Sequence, residues 1–168
     1  HLLVGPVPDP EAAPVPGISG QAEGSILPRL EGYEAGQAAF GNVLSRFARF
    51  LSWPLGLGGG SGAGLPGGLD LLPLFEKAAL ALEPSREPPR ALDWFNGRRS
   101  PFEAPGLTGM ISGPTLGSDP PGVYRALVES LAFGARRIVD HYRSAGLPVD
   151  RVIATGGMAH KSPLLMQV

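Results

Sequence analysis

The stretch VDRVIATGGMAHKSPLLMQV, residues 149 to 168, reads as a strand, a double-glycine turn and the start of a helix. Arg151 to Thr155 has the β-branched, apolar character of a short buried strand. Gly156-Gly157 supplies the turn, and Ser162-Pro163 pairs a capping hydroxyl with a proline whose fixed φ suits a first helical turn. Such a turn lets the backbone come close to a phosphate or nucleoside, because no Cβ stands in the way. By spacing alone an ordinary strand-to-helix connection is as good a reading.

Working back from this unit, Ser118-Asp119-Pro120-Pro121 is a strong helix start, with Asp119 as the cap. Val123, Leu127, Ser130, Leu131, Gly134, Ile138 and Tyr142 carry a buried stripe to Gly146 and Pro148, which terminate the helix. ALDWFNGRRSP suggests a short strand over Ala91 to Phe95 running into a turn at Asn96-Gly97. LDLLPLFEKAALAL reads as a second helix or a pair of turns, packed by its leucines. Within residues 34–51, Phe40, Val43, Leu44, Phe47, Phe50 and Leu51 recur at steps of three and four, so they share one helical face, which Trp53-Pro54 ends. Between these helices lies a glycine-rich loop, residues 56–68. It holds Gly62, Gly64 and Gly67 at dinucleotide-motif spacing, but no strand precedes it and a proline interrupts it, so it reads as a linker.

Composition bounds the function. The chain has 168 residues, 43% of them hydrophobic, enough for one core. Its 25 glycines and 19 prolines must then be concentrated in loops. A net charge of -1 gathers neither a phosphate backbone nor anionic lipid, which sets nucleic acid and membrane aside as partners. There is no cysteine, which excludes disulfides and thiolate metal sites and fits a cytoplasmic location. The opening HLLVG reads as a strand cut at its start, and the last helix as cut after one turn.

Few residues invite chemistry. His1, His141 and His160 lie far apart without ligand-like partners, so no metal site is expected, and His141 reads as a solvated surface residue. No nucleophile elbow or Walker lysine is present. Glu34 remains, wedged among small residues ahead of Gly36 and Gly41. It reads either as a helix-start residue favoured by the dipole, worth about 0.3–1 kcal/mol, or as a carboxylate that accepts charge-assisted hydrogen bonds from a polyol.

Taken together and in this order, GYEAGQAAFG, RFLSWPL, LDWFNGRRSP, LTGMISGPTLG, YRALVESLAFGARRIVD and ATGGMAHKSPLLMQ resemble the C-terminal half of bacterial L-ribulokinases, within the FGGY carbohydrate kinase family. The resemblance implies a ribonuclease H-like α/β fold of the actin, sugar kinase and heat-shock chaperone type. It implies an FGGY C-terminal ATP-binding domain over residues 1–168, incomplete at both ends. It further implies phosphorylation of L-ribulose to L-ribulose 5-phosphate in L-arabinose catabolism, with ATP and Mg2+. Residue by residue, Glu34 matches a carboxylate that contacts sugar hydroxyls, while Gly41, Ser45, Gly156, Gly157 and Lys161 match the nucleotide side. No catalytic residue is expected in this segment: the family's aspartate base lies upstream, and the fragment alone is expected to be inactive. Pro114, Tyr124, Asn42 and Arg46 depart from the commoner family pattern. Another FGGY kinase, acting on D-ribulose, xylulose or gluconate, stays open, as do a non-catalytic actin-like ATP-binding module, a structural domain and a homodimer of the full-length parent.

Overall fold

The computed structural model describes residues 2–6, 13–56, 70–83 and 87–168. Most of the glycine-rich loop, including Gly62, Gly64 and Gly67, lies outside them, as does His1. The elements in chain order are β1 (Leu2–Gly5), β2 (Gly20–Glu23), β3 (Glu31–Glu34), α1 (Phe40–Ser52), a 3-10 turn (Trp53–Gly56), α2 (Leu71–Leu80), β4 (Arg90–Leu92), β5 (Met110–Ser112), α3 (Pro120–Ser144), α4 (Gly157–Lys161) and α5 (Pro163–Gln167). They fall into two compact units. One gathers residues 1–39, 94–109 and 132–154, the other residues 40–93, 110–131 and 155–168.

The first unit is built on an antiparallel sheet of order β1-β3-β2. In the central strand β3, Gly32 and Tyr33 are buried, Tyr33 lying opposite Leu3 on one side and Gln21 on the other. Tyr33, Ala35, Ile138 and Tyr142 make the core, packed by Leu3, Val15, Ile18, Leu147 and Val149. The two tyrosine rings meet edge to face at 6.4 Å, and Tyr142 Oη donates to the Tyr33 carbonyl at 3.2 Å. The turn expected at Asn96-Gly97 is present: Gly97 has φ +72, and its amide donates to the Trp94 carbonyl.

Those tyrosines make stability depend on alkaline pH. Burial first, and then the charge of Glu34, pushes Tyr142 from its ordinary value of 10 up to about 12. Tyr33 is raised too, by burial and then by Glu31. A phenol whose folded pKa is raised contributes stability that is fully present below the unfolded value and is lost as pH climbs through the folded one. Urea midpoints should therefore hold steady to about pH 10 and then fall, by roughly 1.4 kcal/mol per pH unit for each such tyrosine. Tyr142→Phe should lower stability by about 1 kcal/mol at neutral pH and flatten the alkaline slope. An unchanged slope would show that Tyr142 does not carry it.

The second unit stacks helices. In α1, Val43 and Leu44 are buried and Phe47 meets Phe75 of α2 at 5.7 Å, while Phe75 stacks on Tyr124 of α3 at the same distance. Phe50 departs from the expected stripe: it is 77% exposed, because only the strip through Val43, Leu44 and Phe47 faces the neighbouring helices. The α2 helix begins as its sequence suggests, with Asp70 accepting from the Leu72 amide at 3.0 Å. Its buried Glu76 accepts from Tyr124 Oη, Ser162 Oγ and the Leu164 amide. The expected strand at 91–95 is shorter and shifted, Arg90–Leu92, and pairs antiparallel with β5.

The long helix α3 confirms its sequence signals at both ends. Asp119 Oδ1 accepts from the Gly122 amide at 2.8 Å, and Gly146 closes the helix at φ +81 with Leu147 N bonded to the Tyr142 carbonyl. Ser162 and Pro163 cap and open α5 as expected. Two expectations need correction. Residues 151–155 form no strand, and Val152 and Ile153 are about 70% exposed, because no described strand pairs with them. His141 is not a solvated residue: its Nε2 lies 2.7 Å from the Pro16 carbonyl and its ring packs edge-on against Phe102. Among the described residues no helix is long and apolar enough to cross a membrane.

Candidate functional site

Glu34 is the last residue of β3, not a helix-start residue. The dipole reading of this carboxylate therefore falls away, because α1 begins only at Phe40. Pairing with Leu2 and Gly20, together with the Ser19 amide on its carbonyl at 2.7 Å, fixes the backbone while the side chain stays about half exposed. Arg99 Nη2 stands 3.6 Å from Oε1, with both side chains near 50% exposed. An ion pair this exposed adds about 0–1 kcal/mol, so the carboxylate remains free to accept hydroxyl protons.

The structure also explains Gly36. A Cβ there would stand 2.9 Å from Arg99 Cδ and 3.2 Å from its Nε, so a side chain at position 36 would push the arginine off its present path to Glu34. The Gly36 amide donates to the buried Ser100 Oγ at 3.2 Å, and Ser19 Oγ meets the same hydroxyl at 3.2 Å. Asn96 Nδ2 reaches the Ala38 carbonyl at 3.5 Å. The NGRRS segment thus lies along the EAGQA segment, and two motifs about 60 residues apart build one surface.

Gly41, Ser45, Gly156, Gly157 and Lys161 all belong to the second unit, whereas Glu34 belongs to the first. Gly41 and Ser45 are one turn apart on α1, where Ser45 Oγ donates back to the Gly41 carbonyl at 3.5 Å. A Cβ on Gly41 would meet Met158 Cγ and Sδ at 3.5 Å, an ordinary van der Waals distance, so α1 approaches α4 there without needing glycine. Gly156 is different: with φ +91 and ψ 178 it occupies backbone space that side chains avoid, and so makes the turn into α4. Among the described residues Gly157 has no atom within 4 Å of a built Cβ, and Lys161 ends α4 in solvent. The described residues give no reason for glycine at 41 or 157. Open space beside Gly157, with the Lys161 ammonium nearby in sequence, suits a polar ligand that a Cβ would displace.

Among the described residues no three His, Cys, Asp or Glu side chains gather as a metal site. Reading the sequence also missed two polar residues. Arg99 sits inside LDWFNGRRSP, which carries a turn and part of the family likeness but no local sign of an ion pair with Glu34. Glu76 occupies the same helical face as Leu72, Phe75 and Ala79, and a carboxylate on an apolar stripe was the available signal.

A family model for the C-terminal domain of the FGGY family of carbohydrate kinases matches residues 1–168. A ribulokinase of Vibrio parahaemolyticus is 42% identical over 157 residues, 90% of this chain and 28% of that protein. Ribulokinases of Bacillus licheniformis and Anoxybacillus flavithermus are 36% and 39% identical over the whole chain, which spans 29% and 28% of their lengths. Among solved structures, xylulose kinase from Rhodospirillum rubrum superposes with a TM-score of 0.63 at 21% identity, covering 83% of this chain and 25% of that one. Plasmodium falciparum glycerol kinase with ADP gives 0.58 at 19% identity, covering 85% and 25%. These two likenesses speak for the sugar-kinase fold.

Proposed function

The chain belongs to the FGGY family of carbohydrate kinases, as its C-terminal domain, and from that premise we propose that it is the nucleotide-side part of an L-ribulokinase. The reaction is transfer of the γ-phosphoryl group of ATP to the C5 hydroxyl of L-ribulose. The observation that carries the reading is the pair Gly41 and Gly157, glycines for which packing among the described residues supplies no cause. A nucleotide lying against them does. Each glycine in a helix costs up to about 1 kcal/mol against alanine, and close approach of a ligand outweighs that. The choice of L-ribulose over other sugars rests on the ribulokinases, at 36–42% identity along 90–100% of the chain.

ATP supplies the phosphoryl group, and the residues of this chain position the reactants. Glu34 accepts hydrogen bonds from sugar hydroxyls, with Arg99 limiting the directions its carboxylate takes. Gly41 and Gly157 let the nucleoside approach the backbone, Ser45 offers a hydroxyl and Lys161 an ammonium that offsets phosphate charge. None of these groups is assigned a proton transfer.

Two measurements on the full-length protein test this. L-ribulose should give a higher kcat/KM than D-ribulose, xylulose or gluconate; preference for one of the others would move the assignment within the family. In a calorimetric titration Gly157→Val should weaken ATP by about 5- to 100-fold, since overpacking costs roughly 1–3 kcal/mol. Sugar binding should stay near wild type. Unchanged ATP affinity would return Gly157 to an ordinary turn.

A further inference from the structure

We propose that Glu76 is a positioning residue for the nucleotide: from the interior it fixes the junction between α4 and α5, and through it the turn at Gly156-Gly157 and Lys161. The inference rests on the nucleotide reading of that turn.

The reasoning starts from how little else holds α4. The helix has five residues, Gly157–Lys161, and none is buried; its N-cap Gly156 offers no side-chain hydrogen bond. Met158, beside Gly41 of α1, and Ala159 are only half-buried, so apolar packing holds α4 lightly and its C-terminal end adds the polar anchor. That end is Ser162, which is 3% exposed and serves three purposes at once. Its amide donates to the Met158 carbonyl at 3.0 Å and closes α4. Its Oγ accepts from the Leu165 amide at 3.2 Å and opens α5. The same Oγ donates its proton to Glu76 at 3.0 Å.

Glu76 receives a second bond from this junction, the Leu164 amide at 2.8 Å on Oε1, and one from α3, Tyr124 Oη at 2.9 Å on Oε2. It is 7% exposed, and among the described residues its hydrogen-bond partners are neutral donors. A buried carboxylate so held carries a desolvation cost that an apolar side chain on this leucine-rich helix would not. Stability alone does not account for it. Placement does, because two of its three donor groups belong to residues 162–164, directly behind α4.

The test compares three variants of the full-length protein by ATP calorimetry, KM for L-ribulose and thermal melting. Glu76→Gln keeps the shape but loses the anionic acceptor, and Ser162→Ala removes the hydroxyl tie to the junction. Both should weaken ATP by up to roughly 10- to 150-fold, the scale of a lost hydrogen bond to a charged group, and leave the KM for L-ribulose within about twofold. The double variant should be no worse than the weaker-binding single, since both remove the same link. Tyr124→Phe takes a donor from the same carboxylate on its α3 side and retains the ring against Phe75. It should lower Tm and leave ATP affinity within about twofold. If Ser162→Ala binds ATP as the wild type does, or if Tyr124→Phe weakens ATP as much as Ser162→Ala, the positioning role is overturned. Should Glu76→Gln fail to fold, the contrast between Ser162→Ala and Tyr124→Phe decides alone. Gly157→Val separates the two levels: weakened ATP there with normal ATP in Ser162→Ala removes only the role of Glu76, and normal ATP in Gly157→Val removes the nucleotide reading and this inference with it.

Discussion

Supplied with Mg-ATP and L-ribulose, the 168-residue chain on its own should release no ADP above a protein-free blank. The groups assigned here bind and orient, and none moves a proton. The chain spans 28–29% of the curated ribulokinases it matches, so most of what those proteins bring to a sugar is supplied by other residues. A general base contributes about 10²- to 10⁴-fold, and full orientation of two reactants roughly 7–11 kcal/mol. Loss of both places turnover far below detection in a coupled assay. Ribulose-dependent ADP release from this chain would overturn the division of labour and direct attention to its own aspartates. Two of those are already engaged as helix caps, Asp70 on the Leu72 amide and Asp119 on the Gly122 amide. Asp70, Asp93 and Asp119 would then each be replaced in turn.

The second large effect is expected from Glu34→Ala in the full-length protein. The KM for L-ribulose should rise about 10- to 150-fold, corresponding to the 1.5–3 kcal/mol of a charge-assisted hydrogen bond, while the KM for ATP moves by less than about threefold. Geometry makes the variant informative. Glu34 is half exposed and its ion-pair partner Arg99 is equally so, which means truncation opens no cavity and leaves no charge buried. Melting should change by no more than about 0.5 kcal/mol, so a kinetic loss cannot be attributed to unfolding. Equal effects on sugar and ATP would remove Glu34 from the sugar side.

How much was legible beforehand follows the range of the physics involved. The ends of α3 and the Ser162-Pro163 start of α5 are decided within a few residues, by side chains that bond nearby amides and by glycine or proline backbone preferences. Those signals sit in the sequence and were read correctly. The apolar face of α1 was read correctly too, apart from Phe50, whose exposure depends on where the neighbouring helices stop. Among site residues, the types and order that carry the family likeness were visible, and the family match over residues 1–168 agrees with them.

The strands and the causes behind the site residues were not local. EGYE, polar at both ends, becomes the central strand β3 only because β1 and β2 pair with it from either side. Val152 and Ile153, the better strand formers, stay exposed because pairing and not propensity makes a strand. Gly36 has its reason in Arg99, far along the chain, and Glu76 in Ser162 and Leu164, more than 80 residues away. By itself, then, the sequence determined helix limits and family, through short-range hydrogen bonding and a distinctive order of motifs. Tertiary structure alone decided which glycines are required by neighbouring atoms and which carboxylate is buried, since both depend on groups that only folding brings within 4 Å.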